Sequence, residues 1–222
     1  MTDLLIYFLF SAVPVVLAIT LHEVAHGYTA RLLGDPTAHQ MGRITLNPIK
    51  HVDPMGTILL PGLLLASNAM LGSSLPIFGW AKPVPVNFGR LRHPKADMFW
   101  VAAAGPAANL VQAFVWTLIF AIAIRLELGA AALDWLRIAC SAGVMTNLAL
   151  MLLNLVPIPP LDGGRIAVSL LPYSLAVPFS RIEPYGFVLL FALLWLKVLD
   201  DPLRYGLQFF VNVLGRIINT FI

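Results

Sequence analysis

Apolar runs long enough to cross a bilayer recur along the chain at about 4–33, 98–124, 138–156 and 183–199. Two further apolar runs, 57–78 and 203–222, are interrupted by polar or turn-forming residues. The first run stops at Gly34-Asp35-Pro36, a glycine with a proline close behind, which predicts a helix end. The 57–78 run is broken at Pro61-Gly62 and again at Gly72-Ser73-Ser74. Arg31, Arg43 and Lys50 precede it, and Lys82, Arg90, Arg92 and Lys95 follow it. The positive-inside rule therefore puts both of its flanks on the cytoplasmic side and predicts a re-entrant segment. Run 4–33 then passes outside to inside, 98–124 returns, and 138–156 comes back inward, so the first and third finish on one side. The tract 79–91, GWAKPVPVNFGRL, alternates small or apolar residues with polar ones and holds two prolines, which suits a short edge strand or an extended loop at the membrane surface. Residues 101–110, VAAAGPAANL, present small side chains at helical spacing, which lets membrane helices approach closely. Run 203–222 carries Arg204, Asn212, Arg216 and Asn219, a pattern for a helix that spans or lies in the interface.

Composition agrees with this pattern: of 222 residues, 59% are hydrophobic and 11% charged. The chain is expected to be one multi-pass integral membrane domain over 1–222, in contact with the lipid bilayer throughout. Met1-Thr2-Asp3 carries no basic leader, so the first run is expected to be a retained helix. The net charge of +3 comes from basic residues beside apolar runs, which argues for membrane sorting and against a nucleic-acid partner. The single cysteine, Cys140, excludes a disulfide framework and a cysteine-based metal site.

Inside the first run, His22-Glu23-Val24-Ala25-His26 forms the H-E-x-x-H pattern. On a helix the two imidazoles share a face one turn apart and can reach one metal ion, while Glu23 stands beside them as a general base toward water. Three ionisable residues within five positions of a membrane helix cost about 2.5–3.5 kcal/mol each on insertion, which argues against mere packing. A third ligand must come from elsewhere, because position 29 is Thr and position 32 is Leu, unlike the extended metzincin pattern. Glu127, Asp134, Asp162 and Glu183 lie near apolar runs; Glu127 and Asp134 fall on the outer side. Asp162, in NLVPIPPLDGGR, follows the inner end of the third helix, where Pro157, Pro159 and Pro160 stop the helix and Gly163-Gly164 permit a tight turn. On residues alone Asp162 is either a ligand or a turn cap, and Asn154 bonds either a substrate backbone or a neighbouring carbonyl. Asn109 reads as interhelical packing, and His39, His51 and His93 as solvated loop histidines.

H-E-x-x-H in one membrane helix, AAAGPAANL in the next and NLVPIPPLDGG at the end of a third resemble the site-2 protease family of intramembrane zinc metalloproteases. The resemblance covers about residues 4–170, and the chain looks like a compact member without a PDZ domain. It implies a three-helix catalytic core and the β element; the apolar pattern adds C-terminal helices at about 183–222 and the re-entrant segment 57–78, which is not part of the family's minimal core, so the expected fold is an all-α polytopic membrane protein with these additions. The resemblance further implies one Zn2+ bound by His22, His26 and Asp162, Glu23 as catalytic base, and Asn154 near the substrate. The β element at Val84 and Val86 resembles the family's membrane-associated strand and is expected to pair with unwound substrate. Expected partners are transmembrane protein substrates, with a homo-oligomer open. The expected location is a prokaryotic inner membrane, with the active site toward the cytoplasm.

Two other classes use the same ligands. A metal transporter or sensor needs polar residues on both sides of the site, yet LLIYFLFSAVPVVLAI on the outer side is apolar. A non-proteolytic scaffold for client helices has no need of Glu23. Zinc stoichiometry with a cleavage assay separates the three.

Overall fold

The structure is a computed structural model that describes residues 2–72 and 79–221. Helix α1 (Thr2–Leu32), α4 (Pro94–Arg125) and α5 (Ala130–Asn154) pack against one another as the central bundle. Short α2 (Thr37–Gln40) and α3 (Leu60–Leu71) lie in the connection between α1 and α4. After α5 come α6 (Asp162–Leu170), α7 (Tyr173–Ser180), α8 (Gly186–Trp195) and α9 (Asp200–Phe221). Helices long and apolar enough to cross a membrane are Phe10–Leu32, Pro94–Arg125, Ala130–Asn154 and the bent pair Tyr173–Trp195. The protein is a multi-pass, all-helical membrane protein.

Helix α1 ends as its sequence dictates. Gly34 takes φ +112°, and the Asp35 N–H closes back on the Ala30 carbonyl at 2.9 Å. Helix α4 opens on Pro94, with the Asp97 carboxylate accepting the His93 N–H at 2.8 Å, so an orphan donor at the helix start is satisfied. Small residues fix how closely the bundle packs. A Cβ at Gly143 of α5 would meet the Trp116 ring of α4. Further out, α9 closes the bundle by placing Leu214 against Ala113, Leu148 and Met151.

Several boundaries differ from the hydropathy pattern. Helix α5 begins at Ala130, eight positions before 138, because an exposed Asp134–Arg137 pair at 3.7 Å extends it past the apolar stretch. The apolar run at 183–199 belongs to a segment that starts at Tyr173 and breaks at Glu183–Tyr185. Pro184 supplies no N–H there, and Glu183 is drawn to Arg165 at 3.0 Å. The 203–222 run is a helix, α9, whose apolar face covers α4 and α5. In the 57–78 run, α3 follows a π-helical turn, Pro54–Leu59, capped by Asp53, and residues 73–78 lie outside the described residues. The two ends of this excursion are joined, since the Trp80 N–H reaches the Gly56 carbonyl at 3.1 Å and the Thr57 hydroxyl donates to the Trp80 carbonyl at 2.8 Å.

The expected β element is not seen: among the described residues no strand forms, and 79–87 is extended coil. Its backbone bonds go to side chains and loops instead of to a partner strand. The N–H groups of Trp80, Lys82 and Val84 donate to Gly56, His51 and Glu23, and Arg43 holds the carbonyls of Lys82 and Pro83 at 2.9 and 3.2 Å. Every second residue thus bonds toward the protein, and Pro83 and Pro85 in between carry no N–H for a strand to use. At the far end, Asn87 N–H donates to the Asp35 carboxylate at 2.6 Å, and Thr37 donates to its other oxygen.

Asp35 is wholly buried. Burial pushes its carboxyl upward, but the Thr37 hydroxyl and the N–H groups of Asn87 and Thr37, with Arg90 nearby, outweigh that and hold it below the usual carboxylate range. A depressed pKa means its contribution is complete above about pH 4 and fades as pH falls through the folded value. Asp35→Ala is expected to cost about 2–3 kcal/mol. It is also expected to flatten the acid limb of the melting temperature against pH, which thermal unfolding in detergent measures.

Candidate metal centre

His22 and His26 lie on the face of α1 turned toward α4, and both are buried. Their Nε2 atoms stand 3.0 Å apart. Asp162, the first residue of α6, brings one carboxylate oxygen to 3.2 Å from His22 Nε2 and the other to 3.3 Å from His26 Nε2. The sequence reaches this by stopping α5 at the proline-rich turn and folding α6 straight back on it. Gly163 and Gly164 are helical, so they serve close approach and not the expected tight turn. A Cβ at Gly163 would strike the Leu155 carbonyl, and one at Gly164 would lie 2.7 Å from Pro159 Cα.

Hydrogen bonds behind the rings decide what the cluster is. His26 Nδ1 lies 2.7 Å from the Val101 carbonyl, and His22 Nδ1 lies 3.0 Å from Asn109 Oδ1. Both acceptors belong to α4. The Asn109 amide nitrogen in turn reaches the Asn147 carbonyl of α5 at 3.4 Å, which fixes its oxygen toward His22. Each ring therefore carries its proton on Nδ1 and presents a lone pair on Nε2. Two lone pairs and a carboxylate then converge with no donor between them, and Asp162 Oδ2 is buried without a hydrogen-bond partner. Such a group is stable only with positive charge among the three atoms.

A metal ion fits that place. One ligand atom from each of the three residues lies within 4.8 Å of the others, and Asp162 turns a different carboxylate oxygen to each ring, at 3.2 and 3.3 Å from the two Nε2 atoms, so all three side chains face one shared space of the size a four-coordinate ion with bonds of about 2.0 Å requires. Two imidazoles and one carboxylate, each imidazole donating its other N–H to an oxygen, form the donor set of a site with an open position. The open side faces a cleft of about 770 Å³ lined by Glu23, Trp80, Val84, Val86, Asn154 and Arg165, among others.

The other residues of interest divide. Glu23 borders the cleft and accepts the Val84 N–H at 2.7 Å. Asn154 also borders it, with its amide nitrogen on the Leu150 carbonyl of its own helix at 3.0 Å. Val84 is buried, and Val86 packs on the cluster of Ala30, Leu91 and Val101. His39 and His93 are exposed. His51 is not the solvated histidine expected: it is 2% exposed, its Nε2 bonds the Thr45 carbonyl at 2.9 Å, and it lines the cleft. Asn109, expected to be packing, holds a histidine of the cluster. Gly105 was legible only as one of several small residues, yet a Cβ there would collide with His26 Nε2 and lie 2.6 Å from His22 Cε1.

Residues 121–196 match peptidase family M50. The chain is 39% identical over 198 residues to "Putative zinc metalloprotease YwhC" of Bacillus subtilis, covering 86% of this chain and 84% of that protein. It is 34% identical over 179 residues to "Putative zinc metalloprotease Rip2" of Mycolicibacterium smegmatis, covering 80% of this chain and 63% of that relative. With the protein of the same name in Mycobacterium tuberculosis it shares 30% identity over 148 residues, 66% of this chain and 51% of that relative. No solved structure matches the chain.

Asn109→Ala is expected to weaken Zn2+ binding about 10- to 100-fold in chelator competition, because His22 loses the acceptor that fixes its tautomer. Gly105→Ala is expected to abolish stoichiometric binding in the same measurement while Gly129→Ala, in open space, leaves it unchanged.

Proposed function

The chain belongs to the site-2 protease family, peptidase family M50, and on that premise we propose that it is an intramembrane zinc metalloendopeptidase. The reading has it cleave peptide bonds within or near transmembrane helices of membrane-tethered proteins. The observation that carries it is the convergence of His22, His26 and Asp162 between membrane helices, with Glu23 on the cleft beside them.

In this reading His22, His26 and Asp162 hold one Zn2+. Bound there, zinc would supply Lewis acidity toward a peptide carbonyl and toward water. Glu23 takes the proton from the attacking water and returns it to the departing amine. A substrate helix keeps its carbonyls in internal hydrogen bonds, so a short stretch must unwind to present one. The cleft has room for such a stretch, with Asn154 facing the opened backbone and Val84 and Val86 forming part of the wall. His22 lies ten residues from Leu32, roughly 15 Å along α1, so water enters from the end of the bundle where the basic residues gather.

The same reading orients the molecule. Arg31, Arg43, Lys82, Arg90 and Arg92 cluster where α1 ends and α4 begins, which makes that end cytoplasmic in a prokaryotic inner membrane. Helix α3, 12 residues and about 18 Å long, reaches little more than half of a 30 Å hydrocarbon layer, so the hydrogen-bonded excursion from Gly56 to Trp80 reads as re-entrant. The whole chain is then one membrane domain, with the site carried by 4–170.

Glu23→Gln is expected to keep one zinc per chain and to slow cleavage of a model transmembrane substrate in proteoliposomes about 10²- to 10⁴-fold. Turnover near the wild-type rate removes Glu23 from its role. Asp162→Ala is expected to lose zinc, and unchanged metal content assigns the third ligand elsewhere.

A further inference from the structure

In the tract Lys82-Pro83-Val84-Pro85-Val86 both prolines lack an N–H, so Val84 holds the single backbone donor between positions 82 and 86. That donor is spent on Glu23: Val84 N lies 2.7 Å from Glu23 Oε2, the short end of the range for an N–H on an ionised carboxylate. We propose that the Val84 N–H is a positioning donor for Glu23, fixing one carboxylate oxygen so that the other stays aimed at the attacking water. The proposal rests on Glu23 being the general base.

The donor is held in place from several directions. Arg43, buried, grips the carbonyls of Lys82 and Pro83 at 2.9 and 3.2 Å. Lys82 N–H is tied to the His51 carbonyl at 2.9 Å, and Asn87 N–H to Asp35 at 2.6 Å. The Val84 side chain, 7% exposed, sits over Gly27, where an added Cβ would lie 2.8 Å from Val84 Cγ1. Gly27 directly follows His26, so the helix that carries Glu23 also carries the seat of its donor. The donor and the base are thus referenced to one rigid element. A free glutamate has three side-chain torsions to arrest before it can take a proton from a fixed water; one bond to an anchored amide removes much of that freedom.

This changes what the segment is for. An edge strand offered to substrate needs free donors along its length, and here the donors at 80, 82 and 84 are consumed inward and those at 83 and 85 do not exist. The segment is built to hold the base first, and substrate meets a wall that is already bonded.

The test compares Val84→Pro with Val84→Ala in the zinc-loaded, reconstituted full chain. Both trim or alter the side chain, but only proline removes the N–H, and the residue ahead of Pro85 already favours the extended backbone that proline adopts. Val84→Pro is expected to turn over about 10- to 100-fold more slowly than Val84→Ala, with KM and zinc content within about twofold of it. Equal turnover of the two variants, or a loss carried wholly by KM or by zinc, overturns the proposal. Should the proline variant not accumulate, the test passes to a readout that needs no turnover. A readout without activity uses the metal-free protein: Val84 amide exchange is expected to be slow and to accelerate in Glu23→Ala, and unchanged exchange counts against the bond. A wild-type protein that binds zinc and cleaves nothing defeats the protease reading and the positioning role that rests on it, while the exchange result reports on the bond itself; unchanged exchange in a protein that does cleave defeats the proposal alone.

Discussion

Two imidazole nitrogens and a carboxylate meet inside a bundle of membrane helices, and the positive charge that such a donor set holds organises the molecule. The Nδ1 protons of the imidazoles are committed to Val101 and Asn109 on the opposite side of each ring, which leaves both Nε2 lone pairs facing Asp162. Asp162 cannot turn to solvent, because it is buried and its helix is pressed against the turn that precedes it. In a low-dielectric setting such an arrangement is costly unless a cation sits within it. The rest of the fold can be understood as the means of bringing these atoms together and keeping lipid and stray water away.

Close approach is the first of those means. Gly105 removes the side chain that would fill the space beside both histidines, and Gly163 and Gly164 let α6 lie directly on the turn from Leu155 to Pro159. Polar linkage is the second. His22, Asn109 and Asn147 connect α1, α4 and α5 through successive contacts, so the orientation of one ring is coupled to the packing of all three helices. Around the rim, Arg43, Asp35 and His51 hold the 79–87 segment over the cleft, joining the loops between α1 and α4 to the glutamate beside the cluster.

Much of the site was legible in the sequence because its signal is local. Two histidines at i and i+4 with a glutamate between them carry a chemistry through helical geometry alone, and the prolines before Asp162 mark where a helix must stop. What stayed hidden depends on contacts between distant segments. His51 resembles any loop histidine until Thr45 and Lys82 are seen around it. Asn109 resembles an ordinary polar residue in a membrane helix until His22 lies 3.0 Å away. The expected strand at Val84 and Val86 had the right alternation, but alternation describes an extended backbone and does not supply a partner; loops and side chains took the bonds. The break at Pro184 was visible, and hydropathy averaging passed over it.

X-ray absorption at the zinc edge, on the purified chain in lipid with metal content measured in parallel, tests the central claim most directly. One zinc per chain is expected, with two imidazole nitrogens at about 2.0–2.1 Å and a carboxylate oxygen at about 2.0–2.2 Å in a four-coordinate shell. A chain that retains no zinc, or a shell without imidazole scattering, contradicts it.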